Sequence, residues 1–439
     1  MTHTCNSKQR ADVDAHDIPV TGGTLIFPPR RPMSRPLKVF RFLTSPAAAF
    51  LLLFPTIGYY TFAAYVNVIF PEGSVGNIVI RAGSLVILSI AFTSVRARQK
   101  KGFNKFLLPV TIFLFFYTLR LVENILFSDI EIIPGNNTLV LMIFFFSSII
   151  PAYVLAFIEP AIRDEDMVAL LSGFAILFLV GVWLNREALA ESAEVRMMLT
   201  KINPISLSYV AVSFILYYLI QFSRSKRVII EALLITPVLL VIISLARSRG
   251  AMISGILTLI IYILITKGSR RISMLVILGG AVTLIALFAN PIYLESAMDA
   301  LNRIDTHDDL STKGRILSFE GAWEQFLENP LIGRYAIELQ TGVYSHNILL
   351  DSLMSVGLIG SIPFALHIGL ALRATIGIIR NHTDSFAHVF IALLFIRDFI
   401  GSQFSGSLWG SSGFWITSFI VISIWYGRKR NQLTQRVIL

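Results

Sequence analysis

Apolar residues along this chain fall in unbroken runs of about 18 to 25, separated by short polar, basic or Gly- and Pro-bearing gaps. That is the length an α-helix needs to cross a hydrocarbon core of roughly 30 Å. Twelve spans are predicted, at about 43–65, 75–95, 105–127, 138–158, 167–185, 204–221, 228–246, 250–266, 272–289, 347–372, 386–404 and 409–427. Lipid offers no water to an open backbone, so the fold class is an all-α integral membrane protein of about twelve transmembrane helices. One long polar interval, 290–345, breaks the series. The predicted organisation is a tail over 1–40, helices one to nine within 41–289, a large loop over 290–345, helices ten to twelve within 346–427, and a tail over 428–439. Inside the loop, Ile316, Phe319, Trp323, Phe326 and Leu327 recur at helical spacing, which predicts a short amphipathic helix. Such a helix either packs on the bundle, lies in the membrane interface, or covers a site.

Composition agrees with the pattern. Hydrophobic residues make up 55% and charged residues 15% of the chain, against about a quarter charged in soluble domains. The single Cys5 lies in the N-terminal tail, so no disulfide framework and no cysteine nucleophile near the membrane is expected. That tail carries Gly22-Gly23, Pro28-Pro29 and Pro32 but no basic start followed by an apolar stretch. It reads as disordered and not as a cleavable signal.

Charge then orients the bundle. With both termini on the cytoplasmic side, 25 of the 37 Lys and Arg residues fall in the tails or inner loops, as the positive-inside bias requires. The net charge of +10 therefore reports topology, and no nucleic-acid partner is expected. The 290–345 loop lies on the outer side.

Twelve basic residues break that bias. Arg81, Arg120 and Arg397 sit inside predicted spans at the outer level, Arg120 with Glu123 and Arg397 with Asp398. Unpaired charges there are costly. Either they pair internally or they line a polar chamber opening outward, and Arg81 has the further option of snorkelling. Arg186, Arg196 and Lys201 occupy the outer loop between spans five and six, and Arg303, Lys313, Arg315 and Arg334 the long loop. Arg247-Ser248-Arg249-Gly250 forms a tight outer turn at a helix start. Arginine grips phosphate oxygens bidentately and helix N-termini attract anions, so this turn is a candidate diphosphate site; interfacial anchoring is the alternative. His346, in Ser345-His346-Asn347 just before span ten, is either a general base near neutrality or a satisfied polar residue at a helix mouth. The cluster Asp305-Thr306-His307-Asp308-Asp309 has no fixed ligand spacing, reads as a solvated loop, and no metal or cofactor is expected.

Four stretches in this order resemble the O-antigen ligase and O-antigen polymerase superfamily. They are Arg196 with Lys201-Ile202-Asn203-Pro204; Ser248-Arg249-Gly250-Ala251; Gly314-Arg315 through Trp323 to Asn329-Pro330-Leu331-Ile332-Gly333; and His346-Asn347-Ile348-Leu349-Leu350 into Val356-Gly357-Leu358-Ile359-Gly360. The resemblance covers roughly 180–370. It implies an inner-membrane enzyme with about twelve helices and a large periplasmic loop. Its reaction would be metal-independent transfer from an undecaprenyl-diphosphate-linked glycan, with His346 as base and Arg249 and Arg196 on the donor diphosphate. Arg186 is the alternative to Arg196. Where relatives often carry Gly-x-Gly, this chain has Gly333-Arg334, so Arg334 is an extra anion contact or a solvated side chain.

The functional expectation is polymerisation of undecaprenyl-diphosphate-linked repeat units of O-antigen or exopolysaccharide on the periplasmic face. His346 is the catalytic base, Arg249, Arg247 and Arg196 hold the diphosphate, and Arg334, Arg315, Arg81, Arg120 and Arg397 are additional candidates. The partners are the lipid-linked donor, a glycan or lipid acceptor, membrane lipid and other polysaccharide assembly proteins. Transfer to lipid A core is the alternative within the family. A lipid-linked sugar transporter or flippase is the alternative of another class, disfavoured because the unusual charge is confined to one side and no repeat relates the two halves.

Overall fold

A computed structural model describes residues 45–69, 104–127, 138–157, 162–185, 204–222, 228–246, 248–266, 310–342, 344–381 and 385–438, with isolated positions at 224 and between 271 and 280. No strand occurs among them. The helices are α1 (Ser45–Ala63), α2 (Asn104–Phe127), α3 (Thr138–Phe157), α4 (Asp164–Leu184), α5 (Pro204–Phe222), α6 (Ile229–Ala246), α7 (Arg249–Ile265), α8 (Leu310–Glu328), α9 (Ile348–Asn381), α10 (Phe386–Ser405) and α11 (Ser412–Ile438). In α1 the register widens to a π-helical turn at Phe54–Gly58, where Pro55 removes an N–H from the ladder.

Among the described residues six helices (α1, α2, α4, α5, α9 and α10) are long and apolar enough to cross a membrane, and α3, α6, α7 and α11 contain shorter apolar helices. On α2, Leu108, Ile112, Phe115, Leu119 and Leu126 form an exposed stripe. A water-facing surface of that kind would be an extended apolar patch; facing acyl chains it needs no other cover. The chain is an all-α integral membrane protein. The predicted spans 75–95 and most of 272–289, together with the N-terminal tail, lie outside the described residues.

Two boundaries move. The predicted span 347–372 continues to Asn381, so Arg373 and Arg380 belong to a helix and not to a loop. Likewise α11 runs on past 427 to Ile438.

The interior is aromatic. Trp415 on α11 is wholly buried, with ring centroids 6.0 Å from Phe113 of α2, 6.2 Å from Phe145 of α3 and 5.6 Å from Phe364 of α9. Its indole N–H donates to the Leu408 carbonyl at 2.8 Å. The first twelve residues of α10, Phe386 to Arg397, are all buried, which makes α10 the central post of the bundle. Asp164 of α4 holds the start of that post by accepting from the Phe386 and Ala387 N–H groups at 2.7 and 3.0 Å and from Ser385 Oγ at 3.0 Å. Arg224 lies 3.6 Å from the same carboxylate, and Arg163 pairs with Asp166 nearby.

At the other end, α9 is broken at Gly357 (φ 60°, ψ −167°). The segment after α8 fills the break: Leu358 and Ile359 N–H donate to the Pro330 and Leu331 carbonyls at 2.8 and 3.1 Å, and Arg334 N–H donates to the Met354 carbonyl at 3.0 Å. Gly333 (φ 63°) sits so close that a β-carbon there would be 2.4 Å from the Ser355 carbonyl carbon, and one at Gly357 would be 2.3 Å from that of Leu331. Only glycine fits either side of this interlock.

Candidate active site

Arg120 secures the interlock. Its Nε donates to the Ser355 carbonyl at 2.8 Å, Nη2 to the Ile332 and Gly333 carbonyls at 2.9 Å each, and Nη1 to Glu123 at 2.5 Å. Asn124, one residue after Glu123, bonds both the Arg334 carbonyl and the Ala336 N–H. Of the two options for Arg120, internal pairing is the one found, and the guanidinium is spent on backbone carbonyls. Arg334 is exposed, its guanidinium 4.9 Å over its neighbour Tyr335.

α8 has the predicted helix, but with every residue of its apolar stripe except Phe326 turned outward. Ser318, Ala322, Gln325 and Phe326 are buried, while Ile316, Phe319, Trp323 and Leu327 stay exposed. The buried face is set by polar ties to the following loop: Gln325 bonds the Ile337 carbonyl and Leu339 N–H, and Glu338 accepts from Gln340 and Thr341. Ala322 and Phe326 then cluster with Leu350 and Met354 of α9.

This loop delivers His346, the one non-glycine with positive φ (61°) among the described residues. Holding a non-glycine residue in the left-handed region costs on the order of 1–3 kcal/mol and recurs at functional sites. The neighbours enforce it. Asp351, 1% exposed, accepts from Ser345 N–H at 2.9 Å, Ser345 Oγ at 2.5 Å and Leu408 N–H at 3.2 Å. Asn347 caps α9, its Oδ1 accepting from Leu349 and Leu350 N–H at 3.0 Å each. The imidazole packs on Tyr344, ring centroids 4.4 Å apart, and its Nδ1 is buried with no hydrogen-bond partner among the described residues. Burial first, then the charge of Arg315 on α8, push the His346 pKa down to about 4. It is therefore neutral at physiological pH.

Asn347 Nδ2 reaches the Gln403 carbonyl at 3.5 Å. On the neighbouring residues of α10 rests the start of α7: a β-carbon at Gly250 would be 3.2 Å from Phe404 Cβ and 3.3 Å from Ser405 Oγ. So Gly250, which follows Arg249 at the start of α7, and Asn347, which follows His346, meet the same last turn of α10. Ser248, the N-cap, makes no side-chain cap, and its hydroxyl is buried without a partner among the described residues.

Beside Tyr344 lies a cavity of about 220 Å³, walled by α1, α5, α10 and the serine-rich turn before α11. Arg397 and Asp398 line it, about 12 Å from the end of α10 by helix rise. They also pair with each other: Arg397 Nε and Nη2 both donate to Asp398 Oδ1, and Nη1 donates to the Tyr209 carbonyl at 3.0 Å and to Ser213. Internal pairing of Arg397 with Asp398 is thus found, on the wall of a polar cavity. The structure brings His346, Arg315, Arg249 and Arg397 to one end of the bundle. Arg81, Arg186, Arg196 and Arg247 lie outside the described residues, as does the 305–309 acidic cluster. Among the described residues no three His, Cys, Asp or Glu side chains converge.

Asp351, Tyr344 and Tyr209 were not singled out from sequence. Asp351 had one available signal, a carboxylate four residues into a membrane span that must find a partner. The turn Ser405-Gly406-Ser407-Leu408-Trp409-Gly410-Ser411-Ser412 carried a clear breaker signal where span twelve was expected to begin.

The described residues thus form a polytopic helical bundle with a polar cavity at one end, a histidine at positive φ beside it and an arginine at the start of a nearby helix. Residues 232–365 match the O-antigen ligase family model, a match that supports the O-antigen ligase and polymerase superfamily and implies a glycosyl-transferring enzyme. The matched segment spans α7, α8, the His346 loop and the interlock; the cavity walls other than Tyr344 lie outside it. No curated protein matches the chain.

Proposed function

We propose that this protein polymerises undecaprenyl-diphosphate-linked oligosaccharide repeat units at the outer face of the bacterial inner membrane, without a metal. The observation that supports this reading best is that the residues following His346 and Arg249, Asn347 and Gly250, sit against one turn of α10. Arg249 also heads a stripe on α7. Met252, Ile256 and Leu259, three, seven and ten residues on, line an apolar crevice of about 110 Å³ between α5, α6 and α7. A diphosphate at Arg249 would leave its prenyl chain alongside that crevice, with Arg196 and Arg247 as further contacts.

In the proposed step, His346 takes the proton of an acceptor sugar hydroxyl. The oxygen forms a bond to the donor's anomeric carbon as the bond to the diphosphate breaks, the electron pair leaving with undecaprenyl diphosphate. The proton passes from His346 to solvent or to the departing diphosphate. Arg249 and Arg315 stabilise the charge that grows on the leaving group, a single such contact being worth about 3–4 kcal/mol. Ligation of the glycan to lipid A core is the second reading, favoured by the description of the matched family.

Purified protein with a lipid-diphosphate-linked glycan tests the chemistry. His346→Ala and Arg249→Ala should fold normally yet release lipid diphosphate at least 100-fold more slowly; unchanged release in both would overturn the mechanism. In cells, loss of the protein leaving single-repeat glycan supports polymerisation, whereas accumulated unattached lipid-linked polymer supports ligation.

A further inference from the structure

The chamber beside Tyr344 is not built for an anion. Among its lining residues the only cation is Arg397, and four of that guanidinium's five N–H groups already serve Asp398, the Tyr209 carbonyl and Ser213. Paired with Asp398, it leaves the chamber with no net charge. What faces the open space is hydroxyl and carboxylate oxygen. The Asp398 side chain, 9% exposed, lines the wall beside the hydroxyls of Ser402, Ser405, Ser411 and Ser412. Tyr209 and Tyr344 supply flat apolar faces. The volume equals roughly seven waters and falls below the roughly 300–1,000 Å³ of drug-sized sites, so the chamber admits one ring and not an oligosaccharide.

We propose that this chamber is a subsite for one neutral pyranose ring, the sugar that carries the acceptor hydroxyl, separate from the diphosphate held at Arg249. The assignment to the acceptor rests on the glycosyl-transfer reading above. Tyr344 supports it, since the same ring walls the chamber and packs on the imidazole that receives the proton. The ring-binding part rests on the chamber alone. The donor's terminal sugar has the same chemistry, and the experiment separates the two.

Full-length protein in detergent is titrated with methyl pyranosides of the common hexoses and N-acetylhexosamines, read by saturation-transfer NMR, with inorganic diphosphate as a separate probe. At least one pyranoside should bind the wild type and should not compete with diphosphate. Ser412→Leu, which fills the chamber, should weaken pyranoside binding at least ten-fold, and the milder Ser412→Ala about three-fold or more, both leaving diphosphate binding unchanged. His346→Ala should keep pyranoside binding. Absence of pyranoside binding, or equal binding by wild type and both Ser412 variants, would overturn the subsite. Displacement of the pyranoside by a donor lipid bearing a single sugar would overturn the acceptor assignment. If no lipid diphosphate is released by the wild type while the Ser412-sensitive binding persists, glycosyl transfer falls and the ring subsite stands.

Discussion

His346 is held at positive φ by its neighbours and not by its own preference. Asp351 fixes the residue before it and Asn347 the residue after it, so the imidazole is presented on a rigid arch whose feet are α9 and the 406–412 turn. The same burial that fixes the ring disfavours its charged form, with Arg315 adding to the effect. A base must be unprotonated to work, and with a pKa near 4 His346 already is at any pH above about 5.5. The predicted kcat/KM profile for the donor, which reports free enzyme, is therefore flat through the ordinary histidine range and falls only as pH drops towards 4. The bound diphosphate brings negative charge near the imidazole and raises its pKa, so the acid limb of kcat should sit at higher pH than that of kcat/KM. Coincident limbs near pH 6.5 would show a base with an ordinary, solvated histidine pKa and would overturn the buried, neutral imidazole. None of this was readable from Ser345-His346-Asn347 alone, because a φ angle and a desolvated ring nitrogen are products of tertiary contacts 5 to 60 residues away in sequence.

Helices were the most legible elements, since hydrophobic run length decides them directly, and α4, α5, α6, α7 and α10 sit within a few residues of expectation. The ends of α9 and α11 were misplaced because their charged last turns continue the helix beyond the apolar stretch. The α8 stripe was found, but its direction was not: polar ties from Gln325 and Glu338 bury the opposite face, leaving Ile316, Phe319, Trp323 and Leu327 for the membrane interface. The interlock of Gly333 and Gly357 was invisible as a pair, although both glycines stood in recognisable stretches. Since each β-carbon would overlap the other segment's backbone, Gly333→Ala and Gly357→Ala should each destabilise the protein by about 3 kcal/mol or more. The two changes break one contact, so the double variant should cost little more than the worse single one. Graded unfolding of the four proteins in mixed detergent and SDS micelles measures this, and strict additivity would show the glycines acting independently.

At the scale of the molecule, α10 joins two ends of unlike chemistry. Asp164, Arg163, Asp166 and Arg224 surround its start, while the cavity, His346 and Arg249 surround its finish. The positive-inside bias predicts a cytoplasmic first end and an outer second end. α9 gives a way to test that orientation, because its 34 residues extend about 50 Å, more than the roughly 30 Å of hydrocarbon. Gln340, in the loop just before α9, and Asn381, at its far end, are both exposed and must lie on opposite sides of the membrane if α9 crosses it. The chain's single cysteine makes the labelling clean. In a Cys5→Ser background, a membrane-impermeant maleimide added to cells with a permeable outer envelope should modify Gln340→Cys at once, and Asn381→Cys only after lysis. The reverse pattern would put the chamber in the cytoplasm, out of reach of a donor already delivered to the outer leaflet. Labelling of both without lysis would mean that α9 does not span the membrane.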